Sequence, residues 1–89
     1  MARRPAPKQL GNKLLLIRTT LGLSQTGLVR ALDYRESPLR PSQISNFEQG
    51  KREPPAMLLL AYARLAGVSV EVLIDDRLQL PKKLSVKKA

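Results

Sequence analysis

The sequence predicts an all-α protein, a compact bundle of five short helices. Apolar residues recur every three or four positions along most of the chain, which places them on one face of a helix. Gly22, Gly50 and Gly67 follow such stretches at points where helices commonly end. No alternation of apolar and polar residues is long enough to indicate a strand, and no segment repeats another.

The first two predicted helices are bounded by clear local signals. The first stops at Gly22 and carries apolar residues at helical spacing: Leu10, Leu14, Ile17 and Leu21. The second is expected over residues 25–32, because Ser24 is a good N-cap for the free N–H groups of a first turn. Leu23 and Leu28 flank this cap at the spacing of a hydrophobic staple.

The third predicted helix, residues 41–49, has two different faces. Pro41 suits the first position of a helix, and Gly50 supplies a left-handed cap at the end. Ile44 and Phe47 lie three apart and face a core. The other positions carry short, uncharged, hydrogen-bonding side chains: Ser42, Gln43, Ser45, Asn46 and Gln49. Such groups can pair with base edges in the major groove of DNA.

The fourth and fifth helices complete the bundle. Pro54-Pro55 introduces the fourth, which is expected to end at Gly67. Its apolar stripe and flank are Leu59, Ala63, Ala66, Leu58, Tyr62 and Leu65. A short fifth helix to about Asp75 is expected after Ser69, with Val68 and Leu73 stapled across that cap.

Groups that could hold DNA phosphates lie around the polar helix. Lys51 and Arg52 follow it directly. The start of the second helix offers unpaired N–H groups and a partial positive charge, to which Gln25 adds an amide donor. The expected phosphate contacts are Gln25, Gln49, Lys51 and Arg52, and the expected base contacts are Ser42, Gln43 and Asn46, with Ser45 as a fourth. The alternative for these residues is a plain solvated helix face.

These motifs together resemble the Xre or Cro-repressor type of helix-turn-helix protein, the lambda repressor-like family. The resemblance covers residues 10–74 and implies a five-helix DNA-binding regulator. It also implies a salt bridge between Arg18 and Glu48, since the family joins its first and third helices by such a pair at these positions. The alternative is two unrelated surface charges. A partly buried pair would mainly fix the orientation of the third helix.

The resemblance implies sequence-specific binding of double-stranded DNA by a transcriptional regulator, expected to be a repressor. Such proteins usually bind as twofold dimers on half-sites roughly 34 Å apart, so a homodimer is expected, in solution or only on DNA. The alternative is an antitoxin or another protein-interaction module, which an exposed apolar patch around Val70, Val72 and Ile74 would indicate. RNA is a less favoured partner, because the few aromatic residues provide no stacking platform.

Three features depart from the family pattern. The turn over residues 33–40 is longer by several residues, which predicts a different angle of the third helix or an additional loop contact. Pro41 stands where family members often place a polar base-reading side chain, so base reading is expected to shift to the residues after it. Gly27 replaces an acidic residue that would complete a capping box and weakens the second helix.

The net charge of +9 arises from the two ends of the chain. Residues 1–13 carry four basic residues and residues 77–89 carry five, neither with an acid, while seven basic and seven acidic residues balance between them. We therefore expect a basic N-terminal arm (1–9), a DNA-binding domain (10–76) and a basic C-terminal tail (77–89). The ends would increase affinity for any polyanion without sequence choice; solubilising tails are the alternative.

The composition argues against several other classes. The chain has no histidine and no cysteine, the usual general base, nucleophile and transition-metal ligands, so we expect no enzyme, metal site or cofactor. Asp75 and Asp76 fit a solvated helix end better than an acid pair, because adjacent helical residues point in different directions. No apolar run reaches the roughly 18 residues of a membrane helix. We expect a cytoplasmic, nucleoid-associated protein of a bacterium or phage, without membrane contact.

Overall fold

The computed structural model describes residues 7–81 and Leu84. Five helices follow one another: α1 (Leu10–Thr20), α2 (Gln25–Leu32), α3 (Pro41–Glu48), α4 (Ala56–Ala66) and α5 (Val70–Ile74). No strand occurs in the described part of the chain. The predicted all-α class and five helices are therefore confirmed, and α3 ends one residue earlier than expected. Within these residues, no helix is long and apolar enough to cross a membrane.

One hydrophobic core joins all five helices. α1 packs on α3 and α5, α2 packs on α3 and α4, and α4 also contacts α5. The side chains buried between them come from every helix: Leu10, Leu14, Ile17, Leu28, Leu32, Ile44, Phe47, Leu58, Leu59, Tyr62, Ala63, Ala66 and Leu73. α3 thus contributes one apolar side to the core and leaves its other side at the surface.

The turns that position α2 and α3 follow from local chemistry. Ser24 caps α2, because its Oγ accepts the backbone N–H of Gly27 at 2.9 Å. At the end of α3, Gly50 has a φ of 74°, which lets the N–H of Lys51 reach the carbonyl of Asn46 at 2.9 Å. This left-handed turn determines where the basic pair after α3 leaves the helix.

The lengthened turn between α2 and α3 lies against the body of the protein. Asp33 ends α2 with a φ of 47°, and its carboxylate pairs with exposed Arg35 at 3.2 Å. Tyr34 and Leu39, near the two ends of the turn, pack against the core. An open groove of about 490 Å³ separates the first part of the turn from α4.

α1 and α5 cap each other, which the sequence did not reveal. The Lys13 side chain is buried, and its Nζ donates to the carbonyls of Val72 at 2.6 Å and Asp75 at 2.9 Å, at the end of α5. In return, the Asp76 carboxylate accepts the N–H groups of Lys8 at 2.9 Å and Gln9 at 3.0 Å, before α1.

These caps refine one expectation and correct another. Asp75 and Asp76 do follow the end of α5, and Asp76 is exposed, but both carboxylates also have protein partners: Asp76 caps α1, and Asp75 pairs with Arg77 at 3.0 Å. Lys13 is not an available charge of the basic N-terminal segment, because its ammonium is bound to backbone carbonyls.

The expected basic arm and tail remain predictions. Most of their charges (Arg3, Arg4, Lys82, Lys83, Lys87 and Lys88) lie outside the described residues. Among the described residues of the C-terminal tail, Leu80 and Leu84 pack against the core. The hydrophobic contacts of the domain therefore extend beyond residue 76.

Candidate nucleic-acid interface

The exposed side of α3 carries the polar residues that were expected to face bases. Ile44 and Phe47 are buried, whereas Ser42 is exposed and Asn46 half-buried. The side chains of Ser42 and Asn46 form no hydrogen bond with another described residue. Their hydroxyl and amide groups therefore remain available to a partner molecule.

Two glutamines of the same surface are already engaged by the protein. Gln43 Oε1 accepts the N–H of Arg40 at 2.8 Å, and the N–H of Gln43 donates to the Arg40 carbonyl at 3.0 Å. This arrangement caps α3 and leaves the Gln43 amide NH₂ group as a donor. Gln49 Nε2 donates to Ser45 Oγ at 2.8 Å, one turn back on the helix. Ser45 therefore orients Gln49.

A hydrogen-bonded network joins the three helices behind this surface. Arg18 on α1 donates from Nε to Glu48 Oε2 at 2.6 Å and from Nη2 to Glu48 Oε1 at 3.1 Å, and its Nη1 donates to the carbonyl of Leu23 at 3.1 Å. Gln25, the first residue of α2, donates from Nε2 to Glu48 Oε1 at 3.3 Å. The Glu48 side chain is only 5% exposed.

The network fixes the ends of α2 and α3 relative to α1. The hydrogen bond to Glu48 raises the pKa of Arg18, so the guanidinium stays charged. Gln25, expected to contact a phosphate, shares one amide hydrogen with Glu48 and keeps the second for a ligand. The structure thus brings together three residues that the sequence analysis placed in two separate groups.

Tyr62 of α4 lies beneath this network. Its side chain is fully buried, and its hydroxyl has no hydrogen-bond partner among the described residues. Burial raises the pKa of Tyr62, and the negative charge of Glu48 raises it further. The hydroxyl therefore remains neutral, and the aromatic ring provides an apolar base under the ion pair.

Gly11 allows α1 to lie close to α3 behind this surface, a role that was not predicted from the sequence. A Cβ built at this position would lie 2.7 Å from the Glu48 carbonyl oxygen and 3.0 Å from that of Phe47. The absence of a side chain therefore allows α1 to cross the end of α3 at backbone contact distance. The available signal was a glycine inside a helical apolar pattern, which often marks close packing.

Positive charge borders α3 at both ends. Lys51 and Arg52 are exposed after its C-terminal turn, and Arg40 is exposed immediately before Pro41. The first turn of α3 contains no acidic residue. Within residues 7–81 and Leu84, no cluster of three or more acidic, histidine or cysteine residues could hold a metal ion.

A family model described as helix-turn-helix matches residues 14–73 of the chain. The matched span includes α2, α3 and α4 entirely, together with every residue that was expected to contact bases or phosphates. No curated protein matches the chain.

Proposed function

The chain belongs to the Xre-type helix-turn-helix family of DNA-binding regulators, and on that premise we propose that it is a sequence-specific transcriptional repressor. In this proposal, α3 enters the major groove of double-stranded DNA. Its exposed side chains would then contact base edges, where each base pair presents its own pattern of donors and acceptors.

The exposed side of α3 carries the proposal. It presents uncharged hydrogen-bonding groups, and Ser42 and Asn46 have no other bonding partner in the described chain. A carboxamide such as that of Asn46 can pair with adenine through two hydrogen bonds. Gln43 would add its free amide donor, and Ser45 acts chiefly by holding Gln49.

Phosphate contacts would fix the orientation of α3 on the duplex. Lys51 and Arg52 supply charge after the helix, and Gln25 and Gln49 supply amide donors. Gln25 lies at the start of α2, where the free N–H groups of the helix also favour an anion. None of these contacts depends on base sequence.

We also propose that two copies bind together, on inverted half-sites about one helical turn apart.

The alternative function, a protein-interaction module, would be indicated by an exposed apolar patch on α5. Val70, Val72 and Ile74 are all half-buried, and Val70 and Ile74 pack against the core. None of these three side chains is exposed, so the apolar patch that would have indicated a protein interface is not found around them.

Selection of bound sites from random duplex DNA, with the full chain, tests the proposal. We expect enrichment of one motif in two inverted copies whose centres lie roughly 10 base pairs apart. A reporter promoter that contains the motif should lose expression when the protein is present. Recovery of random sequences would overturn sequence-specific binding. Increased expression from the reporter would overturn repression.

A further inference from the structure

We propose that Arg40 binds a DNA backbone phosphate, on the opposite border of the major groove from the phosphates held by Lys51 and Arg52. Positively charged side chains at both ends of α3 would then hold the helix to the DNA backbone. This inference rests on the proposed function of α3 and assigns a role to a residue at the end of the lengthened turn.

The position of Arg40 is fixed relative to α3. Its N–H donates to Gln43 Oε1 at 2.8 Å, and its carbonyl accepts the N–H groups of Gln43 at 3.0 Å and Ile44 at 3.3 Å. The Pro41 ring restricts the backbone directly after it. Leu39 packs against the core on the other side. The Cα of Arg40 therefore moves with the helix, although the turn before it is long.

The guanidinium of Arg40 is available for an anion, unlike those of several other arginines. Three of these pair with carboxylates, namely Arg18 with Glu48, Arg35 with Asp33 and Arg77 with Asp75. Arg40 is exposed and forms no ion pair in the described part of the chain. Its planar array of N–H donors matches two oxygens of a phosphate.

The length of α3 fits the distance between the two DNA backbones. Its eight residues span about 12 Å at roughly 1.5 Å per residue. The major groove is about 12 Å wide. In an orientation that places the axis of α3 across the groove and its polar side on the bases, the residues before and after the helix reach opposite borders. Arg40 then supplies the positive charge at the border reached by the N-terminal end of α3.

A matched pair of variants tests this assignment on the selected DNA site. Arg40→Gln and Arg64→Gln each remove one exposed positive charge, but Arg64 lies on α4 beside the groove of the long turn. For Arg40→Gln we expect roughly tenfold weaker binding at physiological salt. The slope of log affinity against log salt should fall by about 0.9, the change expected for one lost phosphate contact. Arg64→Gln should leave both quantities near those of the parent.

Two further variants separate the possible failures. Arg40→Lys should retain most of the salt slope, because it keeps the charge. Lys51→Gln should reduce the slope as Arg40→Gln does, if α3 reads DNA as proposed.

Three outcomes would contradict different parts of this proposal. If Arg40→Gln and Arg64→Gln have the same affinity and the same salt slope while Lys51→Gln is still impaired, only the role of Arg40 is overturned. A changed base preference in Arg40→Gln would likewise overturn it, in favour of a base contact. The absence of specific binding by the parent would instead overturn the proposed function.

Discussion

Arg18 on α1 and Glu48 at the end of α3 share two hydrogen bonds, from Nε to Oε2 at 2.6 Å and from Nη2 to Oε1 at 3.1 Å. Removal of one partner leaves the other partly desolvated and without an opposite charge, although Arg18 keeps its bond to the Leu23 carbonyl and Glu48 its bond from Gln25. We therefore expect Arg18→Met and Glu48→Gln each to lower the free energy of unfolding by about 1–3 kcal/mol. Urea unfolding of both single variants and of the double variant measures this effect.

The double variant distinguishes a direct interaction from two independent effects. Because both members of the pair are removed together, its loss of stability should be smaller than the sum of the two single losses. Exposed Arg30→Met provides a control for loss of charge, and it should change stability little. Strictly additive losses would contradict an energetic role for the pair.

Gly11 allows α1 and α3 to approach closely, so an added methyl group should destabilise the fold. In Gly11→Ala, the new Cβ would meet backbone carbonyls that cannot rotate away. The expected loss of about 1–3 kcal/mol from overpacking exceeds the gain of up to roughly 1 kcal/mol from a better helix-forming residue. Asn12→Ala, at the exposed neighbouring position of α1, is the matched control. A Gly11→Ala protein more stable than the parent in urea would contradict this account.

The Tyr62 hydroxyl is buried without a partner in the described chain, so its removal should not destabilise the protein. We expect Tyr62→Phe to unfold at the same urea concentration as the parent or a higher one, since an unbonded buried hydroxyl carries a desolvation penalty. Tyr34→Phe, on a half-buried ring in the long turn, is the control. A loss above about 1 kcal/mol in Tyr62→Phe would indicate a hydrogen bond to the hydroxyl.

The cap that Asp76 provides to α1 should make stability depend on acid pH. The N–H groups of Gln9 and Lys8 hold the pKa of Asp76 below its ordinary value of 3.8. The unfolded chain therefore binds a proton at a higher pH than the folded chain, so the stabilisation is complete above 3.8 and lost as the pH falls through the lower folded value.

Thermal unfolding of Asp76→Ala between about pH 7 and pH 2 measures this dependence. The variant should unfold at a lower temperature than the parent at neutral pH, and the difference should shrink below about pH 4. Glu71→Ala, at an exposed position in the first turn of α5, is the control. A difference that stays constant down to pH 2 would mean that the Asp76 charge does not stabilise α1.

The sequence predicted the helices well because their ends depend on neighbouring residues. Ser24 caps α2 through the N–H of Gly27, three positions later, and Pro41 and Gly50 bound α3 in the same local way. The pairing of Arg18 with Glu48 was implied by family resemblance. It could not have been inferred from spacing, since 30 residues separate the two.

The features that were not predicted from the sequence depend either on tertiary contacts or on a capping pattern whose definition does not include them. Asp76 caps α1 across 67 residues, and nothing near it in the sequence indicates that partner. Gly11 is required only because α1 crosses the end of α3. The cap by Gln43 was missed because the usual pattern begins with serine or threonine, whereas Gln43 bonds the backbone of Arg40.

Asn46 is the residue of α3 whose side chain is best placed to contact a base. The residue is half-buried on the polar side of α3, and its amide has no partner among the described residues. Asn46→Ala should weaken binding to the selected site by about 1–3 kcal/mol and relax the preference at one base position. Lys51→Ala, the comparison variant, should weaken all DNA sequences about equally.

The most direct measurement is a binding titration of Asn46→Ala against the selected site and each of its single-base variants, at one fixed salt concentration. Thermal unfolding of the variant first establishes that the fold is retained. We expect Asn46→Ala to bind the selected site and the sites substituted at one base position with nearly equal affinity, while the preference at the other positions is kept. Unchanged affinity and unchanged preference at every position would contradict base reading by Asn46.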